Sequence, residues 1–138
     1  MLQYGEYMIE QGYPFLNKAV ESLIGAESEF SNKRYNNTAN RAYYASFQAA
    51  IAALLRAGIR PPREEWSHEF VPSQFDGVLI NRRHLYPTEL RGVLNRNAGL
   101  RLSADYDEDP VTQTEANRAL RRSRTFVMAI QADGGGQP

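Results

Sequence analysis

Apolar residues recur three to four positions apart along nearly the whole chain, the spacing of a buried helical face. Leu16, Val20, Leu23, Ile24 and Phe30 predict a first helix over about 15–30, with Pro14 suited to its opening turn. Residues 31–37 are rich in cap and turn residues. A second helix is expected over 37–57. Its alanines at 39, 42, 45, 49, 50, 52 and 53 favour helix and let a neighbouring helix come close. Gly58 and Pro61-Pro62 stop it. A third helical region covers 65–82, interrupted by Pro72 and Gly77. A fourth runs from Pro87 to Asn97, turns Leu90, Val93 and Leu94 inward, and ends at Asn97-Ala98-Gly99. The last opens on a capping box of Thr112 and Glu115, buries Ala116, Ala119, Leu120, Val127 and Ile130, and ends near Gln131. The expected organisation is an N-terminal arm over 1–14, a bundle over 15–131 and a disordered Gly-rich tail over 132–138. No strand alternation is visible. The fold class is therefore all-α, an up-and-down bundle of four to five helices.

With 138 residues the chain fits one domain with a real core. There is no cysteine, which excludes a disulfide framework, a thiolate zinc site and a Cys nucleophile. No apolar run is long enough to span a bilayer, and residues 1–11 carry Glu6 and Glu10 but no basic residue. A cytoplasmic protein with no membrane association is expected. Lys and Arg balance Asp and Glu at 16 each, so indiscriminate coating of nucleic acid is disfavoured. The charge is nonetheless unevenly placed. A basic run spans 33–63, an acidic cluster falls at Asp105, Asp107, Glu108 and Asp109, and Arg118, Arg121, Arg122 and Arg124 follow it. Nearly all the cations are Arg, whose planar fork suits phosphate and carboxylate.

The most informative segment is 40–50, Asn-Arg-Ala-Tyr-Tyr-Ala-Ser-Phe-Gln-Ala-Ala. At about 100° per residue, Arg41, Tyr44 and Gln48 form one polar stripe and Tyr43, Phe47 and Leu54 a greasy one. The polar stripe is a candidate site for an anion or nucleic acid, or a face that packs on a partner. The segment 101–106, expected to link the last two helices, places Asp105 and Tyr106 where they could orient Arg41 or Arg101. The two histidines, His68 and His84, are natural proton-transfer groups near neutral pH but lack a metal-ligand spacing. No metal or cofactor motif is present, and neither is expected.

Taken together, the 40–50 segment, His68, the run Arg101-Leu102-Ser103-Ala104-Asp105-Tyr106 and the alanine-containing last helix ending in Phe126-Val127-Met128-Ala129-Ile130 resemble the HEPN domain family. The resemblance covers about 17–131 and is closest to a compact prokaryotic branch. It implies a helical bundle that commonly forms a homodimer. Such proteins are often paired with a minimal nucleotidyltransferase in toxin–antitoxin or defence systems. Many are metal-independent ribonucleases that bring an Arg and a His together, and others bind RNA, nucleotides or protein partners. Carried onto this chain, Arg41 matches the family's arginine. Ala42 follows it in place of a polar residue, and Gln48 stands where many relatives have His. Arg96-Asn97 begins like the nuclease motif, but Arg101 and Leu102 stand where its His belongs. The resemblance thus implies Arg41, Tyr44, Gln48, Asp105 and Tyr106 as ligand-binding candidates. Arg41, His68 and Arg101 are the candidates for catalysis, with a binding module, a ribonuclease toxin and a plain scaffold all left open.

Overall fold

A computed structural model describes residues 4–135, with side chains from 12 to 132. Five α-helices account for most of it, and no strand occurs among the described residues. They are α1 (Tyr4–Ser31), α2 (Tyr35–Arg56), α3 (Phe70–Gln74), α4 (Val93–Tyr106) and α5 (Gln113–Gly135). α3 runs straight on into a π-helix, Phe75–Arg82, and short 3₁₀ turns sit at Pro62–Glu64 and Thr88–Leu90. The all-α bundle expected from periodicity is what forms. No helix among the described residues is long and apolar enough to cross a membrane.

α2 is the axis of the fold. Fourteen of its 22 residues are buried, including every position from Ala49 to Leu55. A helix buried on most of its sides belongs in the centre, and α2 touches α1, α3, α4 and α5. Its alanines permit that crowding. Ala19 and Ala26 of α1 are fully buried in the same core, alongside Leu16 and Leu23. α2 ends as expected at Gly58, whose φ is +80°. The Gly58 N–H donates to Leu55 O (3.0 Å) and the Ile59 N–H to Leu54 O (2.9 Å), the paired bonds of a Schellman stop.

Several helix boundaries differ from expectation. α1 begins at Tyr4, so residues 4–14 continue the helix through Pro14 instead of forming a separate arm. Gly12 lets this extension lie on α2: a Cβ there would stand 3.1 Å from Ala52 O. The third helix starts at Phe70, whose N–H is capped by Ser67 Oγ (2.9 Å), which leaves Pro72 harmlessly in the first turn. The fourth starts after Gly92 (φ +81°), not at Pro87, and runs through Asn97 and Gly99 to Tyr106. Asn97 is not a helix end because its side chain is buried and bonded to two other helices. Residues 101–106 are therefore the last turns of α4, not a connecting segment.

The capping box opens α5 as predicted. Thr112 Oγ1 accepts the Glu115 N–H (3.1 Å), and Glu115 Oε1 accepts the Thr112 N–H (2.9 Å). These bonds, the backbone one first, hold the Glu115 carboxyl below its ordinary value. α5 reaches Gly135, past the expected stop at Gln131; residues 136–138 of the expected tail lie outside the described residues.

Candidate functional site

The Arg41 stripe faces α1. The stem of Arg41 lies over Gly25, its Cδ 3.9 Å from where a Cβ would stand, and the residue is exposed. Arg41, Gln48, Lys18, Glu21 and Ser22 line an open cavity of about 290 Å³. The end of the Gln48 amide that points at α1 meets three acceptors, Lys18 O (3.1 Å), Ser22 Oγ (2.8 Å) and Tyr44 O (3.2 Å). That end is therefore the nitrogen, and it ties α1 to α2. Arg41 has no ion pair among the described residues. Tyr44 does not line this cavity; its ring turns to the neighbouring face of α2.

On that neighbouring face a second cluster forms around Tyr43, a residue that the periodicity places in the core. The Tyr43 ring is buried, stacked with Phe47 (5.5 Å, 30°) and edge-on to Tyr44 (5.1 Å, 71°). His68, exposed in the turn before α3, stacks on Tyr43 (5.5 Å, 26°) and packs on Phe47 (5.1 Å). The Tyr43 hydroxyl is hydrogen-bonded to His68 Nδ1. α4 brings Arg101 to the same ring, with Cζ 5.2 Å from the Tyr43 ring centre and 5.6 Å from that of Tyr44. Both distances are within cation–π range. Asp105 lies one turn on, its Oδ2 3.6 Å from Arg101 Nε, an ion pair but beyond good hydrogen-bond reach. Arg101 Nε is buried and has no hydrogen-bond partner.

Burial pushes the Tyr43 phenol up from 10.0 to about 12; the Arg101 charge pulls the other way and only partly offsets it. Tyr43 therefore stays protonated near neutral pH, and its hydroxyl donates to His68 Nδ1 or accepts from it according to the imidazole tautomer. A neutral imidazole that accepts at Nδ1 carries its proton on Nε2. In the other tautomer Nδ1 donates and Nε2 keeps a lone pair; in the first, His68 presents an N–H on the same tyrosine that carries the Arg101 guanidinium. That arrangement can hold an anion.

Of the residues singled out from sequence, the structure brings His68, Arg101, Tyr44 and Asp105 to one cluster and Arg41 and Gln48 to the adjoining cavity. Tyr106 is 79% exposed at the end of α4 and joins neither. His84 is exposed, at positive φ, in the turn after the π-helix. Tyr43 was missed. The available signal was chemical: a tyrosine on a core stripe needs a partner for its hydroxyl.

Comparison with known proteins agrees with this architecture. The family model of the HEPN domain matches residues 14–132. A protein of Methanocaldococcus jannaschii, whose name reads "Putative toxin", is 32% identical over 114 residues, covering 82% of this chain and 81% of the relative. Over this span, with its buried second helix and its arginine–tyrosine–histidine cluster, the chain belongs to the HEPN domain family.

Proposed function

We propose that the chain is the binding module of a toxin-type HEPN system. It holds RNA or a nucleotide by its phosphate at the Tyr43–His68–Arg101 cluster and the adjoining Arg41 cavity, without cutting it. The observation that carries this reading is the Arg101 guanidinium, whose buried Nε makes no hydrogen bond, packed together with His68 on the one Tyr43 ring. Buried donors are rarely left unused, and a guanidinium suits phosphate oxygens. Tyr44 offers an aromatic face for a base. Metal-free cleavage needs a base for the 2′-hydroxyl. His68 Nδ1 is engaged by the Tyr43 hydroxyl, and the Asp105 carboxylate is paired with Arg101.

The reading is tested by titrating labelled single-stranded RNA and ATP into the protein at several salt concentrations. Arg101→Gln and His68→Ala are expected to weaken the preferred ligand at least about tenfold, with affinity falling as salt rises. Unchanged binding in both variants would remove the site and leave a scaffold. A ribonuclease toxin is the second reading, favoured by the relative's name and by His68 and Arg101 meeting on one tyrosine. RNA cleavage in the presence of EDTA, lost in His68→Ala, would establish it. The module acts in the cytoplasm as a homodimer alongside a nucleotidyltransferase-like partner. Exposed Leu102 and Tyr106, four apart on α4, support the self-association, which sedimentation at micromolar concentration checks.

A further inference from the structure

Four arginines crowd the seam between α4 and α5. Arg96 comes from α4, and Arg118, Arg121 and Arg122 come from α5. Arg96 precedes Arg101 by five residues, about 140° around the helix, so it looks out on a different side from the Tyr43 cluster. None of the four takes part in an ion pair among the described residues; the pairs there are Arg34–Glu29, Arg101–Asp105 and Arg124–Glu27. Arg96 donates only to backbone, to Arg91 O (3.0 Å) and Gly92 O (3.3 Å). Arg122 is held by one bond, Nε to Asn97 Oδ1 (3.1 Å), which roots it in the core and leaves its outer nitrogens unpaired.

Two clefts open along this seam. One, of about 300 Å³, has Leu90 and Val93 for a floor and Arg96, Arg121, Arg122 and Thr125 around it. The other, of about 320 Å³, has Leu100 for a floor and Arg96, Arg118, Arg122, Asn95 and Ser103 around it. They share Arg96 and Arg122 and so form one groove. The acids that line it are Glu89 and Glu115, and Glu115 is already bonded to Thr112. Burial holds the Arg122 guanidinium below its usual range, and the like charges of Arg96 and Arg118 add to the effect. Four cations packed this closely without matching acids repel one another until an anion enters.

We propose that this groove is a phosphate-binding cleft that seats successive phosphates of a single RNA strand, one of them between Arg96 and Arg122. The proposal rests on the reading that the ligand carries phosphate, and it adds a second contact line remote from His68. Arginine forks grip phosphate oxygens in pairs, and the apolar floors on either side of the junction leave room for the sugar or base between phosphates. A free nucleotide shares the chemistry but would fill one cleft only.

The test uses the full chain and the double variant R118E/R121E, whose side chains are exposed and lie outside the core. Binding of a short single-stranded oligoribonucleotide is expected to weaken at least about tenfold. The slope of affinity against salt should flatten by about two phosphate contacts. ATP affinity should change little. Loss of ATP binding with no RNA binding at all would assign the cleft to a free nucleotide and overturn the strand. Unchanged affinity for both ligands would overturn the cleft outright. So would a variant that falls from dimer to monomer with ligand affinity intact, since the occupant would then be the acidic 105–109 segment of a second copy. R101Q separates this proposal from the reading on which it rests. RNA binding lost in R101Q but kept in R118E/R121E sinks the groove alone, and the reverse sinks the Tyr43 cluster alone.

Discussion

Two polar clusters flank α2, and they are built on opposite principles. The first lies inside. Asn97 donates to Ser46 Oγ (3.1 Å) and Ser123 Oγ (2.9 Å) and accepts from Arg122 Nε (3.1 Å); Ser123 donates in turn to Ala42 O (2.6 Å) and Ser46 to Tyr43 O (2.9 Å). Asn97, Ser46 and Ser123 are all buried, and the network joins α2, α4 and α5. The second, Tyr43–His68–Arg101, sits a helix face away and stops short of closure: Arg101 Nε makes no hydrogen bond, though Asp105 stands 3.6 Å away as its ion-pair partner. A closed network fixes the arrangement of helices; an open one leaves donors for something else. The difference separates what holds this protein together from what it offers to a ligand, though both draw on the same residue types.

Asn97→Ala breaks the closed cluster and should have the largest effect. It takes the Asn97 bond from Ser46 and Ser123 and the acceptor from Arg122 Nε and leaves a small void, for an expected loss of about 3 kcal/mol, or about 10 °C in a thermal melt. A melt within a degree or two of wild type would erase the distinction. Tyr43→Phe tests the residue that links both clusters. Because the folded phenol titrates at about 12 and the unfolded one at 10.0, its contribution is fully present below pH 10 and is lost as pH rises to about 12. Urea melts across that window should show wild type losing about 2 kcal/mol more than the variant. Arg101→Gln sharpens the contrast from the other end. Stability should move by no more than about 1 kcal/mol, the scale of a cation–π contact, while ligand affinity falls. A large drop in stability would make the open cluster structural too.

How much of this could be read from sequence follows the range of the forces involved. The capping box of Thr112 and Glu115 and the stop at Gly58 are set by neighbours in the chain, and both stood where the pattern put them. The ends of α4 did not. Asn97-Ala98-Gly99 has the chemistry of a helix stop, but Asn97 finds Ser46 51 positions away and Ser123 26 positions away, and the helix runs on through Gly99. Intrinsic cost of glycine in a helix, about 1 kcal/mol, is easily outweighed by such contacts. The site divides in the same way. The seven-residue spacing of Arg41 and Gln48 does bring them to one cavity. The meeting of Tyr43 with His68, 25 positions on, depends on how the turn before α3 folds back, and no local pattern encodes it.

The contact at Gly12 has a consequence for durability. With the carbonyl of Ala52 3.1 Å from any added methyl, the seam between α1 and α2 has no slack at that level. A valine there would have to lever the leading turns of α1 outward, with Pro14, which lacks an N–H to tie down the turn, as the fulcrum. Limited digestion of such a variant should therefore nick the chain ahead of Pro14 first, trimming the opening turns before the remainder yields.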